Sequence, residues 1–407
     1  MSSGPRDDAN FRDTLGRLLR WVAISSPSGD PAGLAEMACR LVDDAIGIGL
    51  TARIRATADA GGIAYPVVEI ESPQADRRGG RPLLLVGHFD TVLAAAPPVL
   101  DDERLVATGA IDMKGGIAAF FGAVTALSAR SAALPAFRLV LTPDEELGGE
   151  ISRREMELQG AAAELLWVLE PGESTPDGET IVVGRRGLVQ WRLQARGRAA
   201  HSGVEFWSGR SATAGVAEWI AGAERRMRAG GGPTINFSRF VGGTVEFVDR
   251  LTENAALLGT QREINVVPAR ATVEGELRFV RASEGPELVA GLAALADEIG
   301  ARREIDLEFV VESRIAPVDA AAASPAWSRR AVASAAAAGW NLTLETERGG
   351  ISFPNFLPPA AAIPVLDGLG PVGGGMHTRE EYLELRSLRR RIALLADLLR
   401  AAAENGG

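Results

Sequence analysis

The chain has 407 residues, 46% of them hydrophobic, enough to bury a sizeable core and to build more than one domain. A net charge of −10 with no Lys/Arg-rich block argues against a nucleic-acid partner, and a single cysteine, Cys39, excludes an internal disulfide and a thiolate metal cluster. The first residues are polar and then amphipathic, without the apolar core of a signal peptide. No apolar run reads as long enough to span a bilayer, so no membrane partner and a reducing, cytoplasmic setting are expected.

In chain order, residues 9–24 and 31–49 read as amphipathic helices, and Cys39 falls in the second, where it is expected to be inert core. Apolar runs follow at 82–87 (PLLLVG), 137–141 (FRLVL), 165–169 (LLWVL) and 180–183 (TIVV), each the length of a buried strand. Between the first two, 114–130 is helical: Ile117, Phe120, Phe121, Val124 and Leu127 share one face. Strands alternating with helices imply an α/β domain with a mainly parallel sheet. From residue 188 the texture changes to LVQWRLQARG, alternating apolar and polar. A helix near 210–228, strands near 233–241 and 270–281, a helix at 284–300 and a strand at 306–313 complete a βαββαβ order, the ferredoxin-like unit. The expected division is therefore 1–187 with 315–407 as one α/β domain and 188–314 as an inserted second domain. An apolar strand at 362–366 belongs to the first.

The chemistry-bearing residues gather where these runs end. There are three histidines, His88, His201 and His377, all in Gly- or Ser-flanked segments. His88 and Asp90 follow the first strand, in GHFD, the end of an open α/β sheet where ligands bind. Asp112 precedes a helix in GAIDMKGG. Asp144, Glu145 and Glu146 crowd the mouth of the 137–141 strand, where like charges repel unless water or a cation sits among them. Glu170 ends the next strand, and His377 follows three glycines. Each residue alone also fits an ordinary role: a turn histidine, a helix cap, a solvated strand-end acid. Together His88, Asp112, Glu146, Glu170 and His377 are the N and O donors expected for zinc, with cobalt or manganese as alternatives. Five donors suit two ions about 3.5–4 Å apart sharing a bridging carboxylate. Glu145 and Glu146 can serve one site only if the chain is already turning after Pro143, since successive side chains of a regular strand face opposite ways. Asp144 is expected to hydrogen-bond locally.

The segments GHFDTV, GAIDMKGG, PDEELGG, VLEPGE, GRAAHSG, NVVPARATVEGELRF and GGGMHTREEYLEL, in this order over nearly the whole chain, resemble the zinc aminoacylase/carboxypeptidase family that includes carboxypeptidase G, acetylornithine deacetylase, succinyl-diaminopimelate desuccinylase and aminoacylase. The resemblance implies that His88 and Glu170 hold one metal, Glu146 and His377 the other, and that Asp112 bridges them. It further implies that Asp90 orients His88 and that Glu145 is the general base. The inserted domain would be a lid and dimerisation domain, making the protein a homodimer. His201 would reach an active site, in cis or from the partner subunit, and hydrogen-bond the oxyanion. Arg278 would pair with a substrate carboxylate, and Asn265, Ser352 and Arg314 would be further substrate contacts, with Arg186 a weaker candidate. The implied reaction is hydrolysis of an amide or peptide bond beside a free carboxylate, releasing an amino acid from a small substrate. The carboxypeptidase G type leads and an N-acyl-amino-acid deacylase is the alternative. A non-catalytic metal- or amino-acid-binding relative would have lost Glu145 or a ligand.

Two departures stand out. Where the family often has Gly-Gly-Thr-Ser-Asp, this chain has Gly349-Gly350-Ile351-Ser352-Phe353, so a phenylalanine replaces the acid. Residues Thr244–Glu263 lengthen a gap that is short in relatives. That segment either covers the cleft, extends the dimer interface or forms a neutral hairpin, the last being the favoured expectation.

Overall fold

The computed structural model describes residues 5–73, 82–160, 162–230, 232–253, 265–319, 325–358 and 363–405. The chain divides into two compact units: Met1–Arg185 with Asp319–Arg348 and Ser352–Gly407, and Arg186–Val318 with Gly349–Ile351. Gly349–Ile351 groups with the second unit, where the Gly349 carbonyl accepts a hydrogen bond from Arg278 Nη1 at 3.0 Å.

The first unit is built on a six-stranded sheet. Leu83–His88 is buried along its whole length, as a strand covered on both faces must be. It lies between Phe137–Thr142 and Leu165–Val168, parallel to both, and Val365–Leu366 extends the parallel set. The far edge is an antiparallel hairpin, Thr51–Ala58 and Ala64–Glu71, which the hydrophobic pattern did not announce. Its strands carry charges that pair across the ladder: Glu69 accepts from Arg53 Nε at 2.7 Å and from Arg55 Nε at 3.0 Å. The run expected at 180–183 is a strand, Gly178–Val182, but it lies outside this sheet. It pairs in parallel with Leu342–Glu345 in a separate three-stranded sheet.

The helix Gly115–Ser128 is the pillar beneath the sheet. Phe120 meets Phe137 edge-on at 5.2 Å, and Phe121 meets Trp21 at 5.2 Å. Contrary to the expectation, one stretch, Ala110–Ser128, is long and apolar enough to cross a membrane. Nearly all of it is buried inside the protein, so its apolar surface is already covered. A second correction concerns Cys39, which is exposed. The helix Pro31–Gly47 buries the face of Leu34, Met37, Ala38, Leu41 and Ala45, and Cys39 points away from it.

The C-terminal helix, Leu385–Asn405, is locked down by a buried ion pair. Arg391, fully buried, donates to Glu179 Oε2 at 3.1 Å, to the Thr180 carbonyl at 2.8 Å and to the Gly368 carbonyl at 3.2 Å. Burial depresses the guanidinium to about 10, with Glu179 opposing the shift. Ser387 and Arg390 also donate to Glu179, at 2.8 and 2.7 Å.

The second unit is a four-stranded antiparallel sheet. Its spatial order is Thr234–Gly243, Arg270–Phe279, Gly187–Arg196, Asp306–Ile315. Numbered along the chain this is 2-3-1-4, the ferredoxin-like arrangement, with helices Ala212–Gly230 and Glu284–Arg303 in the crossovers. Alternation in GLVQWRLQAR puts Val189, Trp191, Leu193 and Ala195 into the core. There Trp191 packs on Trp219 at 5.2 Å and on Phe309 at 5.8 Å. The lengthened segment does not begin as a hairpin: Val245–Glu253 is a helix that buries Val248. Residues 254–264 lie outside the described residues.

Breaking a buried pair leaves a charge without its partner, at about 3–5 kcal/mol. Arg391→Met is therefore expected to destabilise the protein by roughly 3 kcal/mol in urea unfolding, Arg390 still compensating Glu179 in part, while Arg391→Met with Glu179→Leu recovers much of the loss.

Candidate metal centre

Three of the expected donors are placed by the ends of parallel strands. His88 is the last residue of the central strand, and Glu170 lies two residues past the end of Leu165–Val168. Glu146 follows Phe137–Thr142 on a tight 3-10 turn, Glu145–Leu147, closed by Gly148 at φ 92°. This turn resolves the problem of adjacent acids, because strand alternation no longer applies to them. Asp144 caps the next helix, accepting from Ile151 N at 2.6 Å, Ser152 N at 3.0 Å and Ser152 Oγ at 2.7 Å.

Asp112 stands between two histidines. Its Oδ1 lies 3.2 Å from His88 Nε2, and its Oδ2 lies 3.3 Å from His377 Nε2. Glu170 Oε1 is 3.8 Å from His88 Nε2, and Glu146 Oε2 is 3.2 Å from His377 Nε2. The donors thus form two halves, His88/Glu170 and Glu146/His377, that meet at the two oxygens of one carboxylate. Ligand atoms of His88, Asp112 and Glu146 all lie within 4.8 Å of one another. Imidazole nitrogen and carboxylate oxygen are ordinary zinc donors, and a carboxylate with one oxygen toward each half is what two ions sharing a bridge require. The residues present fit a divalent-metal centre.

The surroundings hold these donors in place. His88 Nδ1 faces Asp90 Oδ1 at 3.2 Å and the Asp90 carbonyl at 3.1 Å, which leaves Nε2 for the centre. Asp90 also accepts from Ser28 Oγ at 2.7 Å and from the amides of Glu145 and Glu146 at 3.3 and 3.2 Å. One carboxylate therefore ties the histidine to the acidic turn. Phe353, at the position where the family often has an acid, is buried and stacks on the His88 ring at 6.5 Å. Ser352 is buried too, and its hydroxyl donates to Glu170 Oε1 at 3.1 Å. It thus holds a metal-ligand candidate, where a substrate contact was expected.

Electrostatics explains why the acids are costly as they stand. Burial, followed by Glu170 among its charged neighbours, pushes Glu145 well up. Burial and the neighbouring Asp112 push Glu146 and Glu170 each up to about 7. Against the cost of burial, hydrogen bonds from His377 and His88 hold Asp112 well below the usual carboxylate range. The hydrogen bond to Asp112 lifts His377 to about 9. His88 rises as well: burial opposes it, and its bonds to Asp112 and Asp90 prevail.

Two residues beside the centre were not singled out from the sequence. Lys114 is buried and donates to the Trp21 and Ile24 carbonyls at 3.2 and 3.0 Å, and burial lowers it to about 7. Glu381 is buried and accepts from the amides of Gly109, Ile111 and Asp112. Its signal was present but weak: Glu380-Glu381 is an acidic pair of which one member must turn inward just before the strand Tyr382–Glu384.

The remaining candidates belong to the second unit. His201 is exposed, and its Nδ1 accepts from Gly203 N at 3.1 Å. Asn265 is exposed, and its carbonyl accepts from Ser202 N at 2.9 Å. Arg278 is not an open fork: Nε and Nη2 donate to Glu276 at 3.1 and 3.2 Å. Arg314 is exposed on the edge strand Asp306–Ile315, and Arg186 Nη1 donates to the Gly232 carbonyl at 2.7 Å.

The chain matches Peptidase family M20/M25/M40 over residues 84–401. It belongs to that family. Carboxypeptidase G2 of Pseudomonas sp. (strain RS-16) is 24% identical over 94% of this chain and 87% of its own length. A succinyl-diaminopimelate desuccinylase of Sphingopyxis alaskensis is 26% identical over 81% of this chain and 84% of its own length. In fold, the chain is similar to the aminopeptidase PepT of Bacillus cereus, with a TM-score of 0.76, 21% identity and coverage of 97% and 99% of the two chains.

For this M20 peptidase the raised groups set a pH dependence. Glu146 and Glu170 rise from 4.5 to about 7, so between those values they bind more protons in the metal-free folded state than in the unfolded state; above about 7 the raised His377 is opposed by Lys114, lowered from 10.5 to about 7. Stability then falls as pH rises over the lower of these ranges. The Tm of the chelator-treated protein is expected to drop between about pH 5 and about pH 7, and added zinc should remove or reverse that slope, because metal binding displaces these protons. A Tm that climbs with pH in chelator would refute the assignment.

Proposed function

We propose that this M20 peptidase hydrolyses an amide or peptide bond beside a free carboxylate, releasing an amino acid, in the manner of a carboxypeptidase G. Two divalent ions, zinc first and cobalt or manganese as alternatives, would be held by His88 and Glu170 on one side and by Glu146 and His377 on the other, with Asp112 shared. The observation that carries this reading is the position of Asp112, with one carboxylate oxygen toward each histidine. When bound, such ions would polarise a carbonyl and lower the pKa of water to about 7.

The chain's own residues do the rest. Glu145, raised by burial among acids, accepts the proton of the attacking water as the C–O bond forms. It delivers that proton to the amine nitrogen as the C–N bond breaks, leaving a carboxylate and a free amino acid. Asp90 keeps His88 in one tautomer. His201, carried on the second unit acting as lid and dimerisation domain of a homodimer, donates a hydrogen bond to the oxyanion. Arg278 exchanges its bond to Glu276 for the substrate carboxylate, and Asn265 and Arg314 are further substrate contacts. The second reading is an N-acyl-amino-acid deacylase of the desuccinylase type, favoured by the GRRG stretch at 184–187 and by the likeness to the Sphingopyxis desuccinylase.

Glu145→Gln is expected to lower turnover by on the order of 10²–10⁴-fold while both ions remain bound, read by steady-state kinetics beside metal analysis. Hydrolysis by that variant at the wild-type rate would refute the mechanism. A screen of dipeptides, N-aroyl-glutamates and N-succinyl or N-acetyl amino acids separates the two substrate readings. Chelation should abolish turnover, and zinc, cobalt or manganese should restore it; full activity in excess chelator would remove the metal from the reaction.

A further inference from the structure

Glu381 occupies a place that no ligand set or catalytic role accounts for. It is 3% exposed. Its Oε2 accepts from Gly109 N at 2.9 Å, and its Oε1 accepts from Ile111 N at 3.0 Å and Asp112 N at 3.1 Å. Three amides of one turn thus converge on one carboxylate. The turn is irregular: Gly109 has φ 74°, and Asp112 sits at φ −114°, ψ 94° inside a helical stretch, so its amides cannot all find helical acceptors. Charge-assisted bonds of this kind are about twice as strong as neutral ones. Glu381 also accepts from Ala107 N through its own carbonyl at 3.0 Å, which fixes it against the strand Arg104–Val106.

The two halves of the centre depend on Glu381 unequally. His88 is on the central strand, 1% exposed, and is pinned by Asp90 and Phe353; Glu170 is held by Ser352. Neither needs Glu381. His377 is different. It lies on a loop with its side chain 55% exposed and with φ 66°, only four residues before Glu381. The loop is otherwise tied at its base by the pairing of Gly373–Gly374 with Tyr382 and Leu383, and within itself by Thr378, whose N and Oγ1 donate to the Gly375 carbonyl at 3.1 and 2.7 Å. Arg379 Nη1 reaches the Ala94 carbonyl at 2.9 Å. Glu381 is therefore the link between the His377 loop and the backbone of Asp112.

We propose that Glu381 is a positioning residue that sets the distance between Asp112 and His377, and so governs the affinity of the Glu146/His377 half of the centre over that of the His88/Glu170 half. This rests on the dimetal reading. Outer partners of metal ligands typically change affinity by 10–100-fold, and here the effect falls on one ion of two.

The test is a metal titration of the full-length protein. Cobalt(II) is added to chelator-treated wild type, Glu381→Gln and Glu381→Ala, following the d–d absorption, with zinc stoichiometry checked after dialysis. The Gln variant keeps an oxygen for Ile111 and Asp112 but sets an NH₂ against the Gly109 amide, so it should be the milder of the two and guards against loss of fold. The expected result is one ion retained within about threefold of wild-type affinity and the second weakened about 10–100-fold, more in Ala than in Gln. Glu380→Gln, on the exposed neighbour, should leave both steps unchanged. Two wild-type steps in both Glu381 variants would overturn the proposal. Equal weakening of both steps would overturn it too, because Glu381 would then be a general support. A wild-type protein that binds fewer than two ions would instead refute the dimetal reading.

Discussion

The constraint on which the structure turns is the repulsion among carboxylates at one end of a parallel sheet. Asp112, Glu145, Glu146 and Glu170 converge there with water largely excluded, and burial leaves three of them reluctant to ionise near neutral pH. A fold does not gather such groups for stability, since an uncompensated buried charge is among the most costly features a protein can hold. Two histidines take up part of the negative charge, one on each oxygen of Asp112, and divalent cations among the same donors would take up the rest. The same environment would suit the proton transfer proposed for Glu145, because a carboxylate raised by burial has an affinity for protons closer to that of the groups it would serve.

Around this charge cluster the protein supplies rigidity in graded amounts. The central strands, covered on both faces, fix His88 and Glu170 with the full weight of the core. The 3-10 turn that carries Glu145 and Glu146 is tied down by Asp90, which holds His88 by its other oxygen contacts. The outermost donor, His377, has no strand beneath it and leans on Glu381. An ordered half joined to a looser half at a single carboxylate is a natural consequence of building a site across the edge of a sheet, where regular backbone gives way to loops.

The position where the family often has an acid shows how a local change is absorbed. Phe353 does not leave a vacant polar pocket; it fills the volume and stacks on His88, while Ser352 turns to Glu170. The result is a drier wall beside the first half of the centre. In the second unit, Glu276 serves Arg278 as a counter-ion within its own strand, so a carboxylate ligand at that arginine competes with a carboxylate already present.

Much of this was legible in the sequence. Periodicity located the buried strands, the apolar pillar helix and the ferredoxin-like unit, because burial on both faces or on alternate residues leaves a pattern in the chain itself. The histidines and acids at the ends of those runs, His88, Asp112, Glu146, Glu170 and His377, are the ones the fold brings together. What sequence could not decide were matters of long-range partnership. The edge hairpin at 51–71 is held by cross-strand pairs of Arg53 and Arg55 with Glu69, and its polar texture conceals it. Cys39 was exposed by the rotation of its helix against the core, which periodicity over a short, alanine-rich stretch does not settle. Glu381 and Arg391 stand in an acidic and a basic run, and only the packing of segments distant in the chain buries them against backbone amides and carbonyls. The sequence by itself determined which histidines and acids stand at the strand ends and meet at one end of the sheet. The tertiary structure decided which of their neighbours hold them in place, because that depends on backbone groups brought together from across the chain.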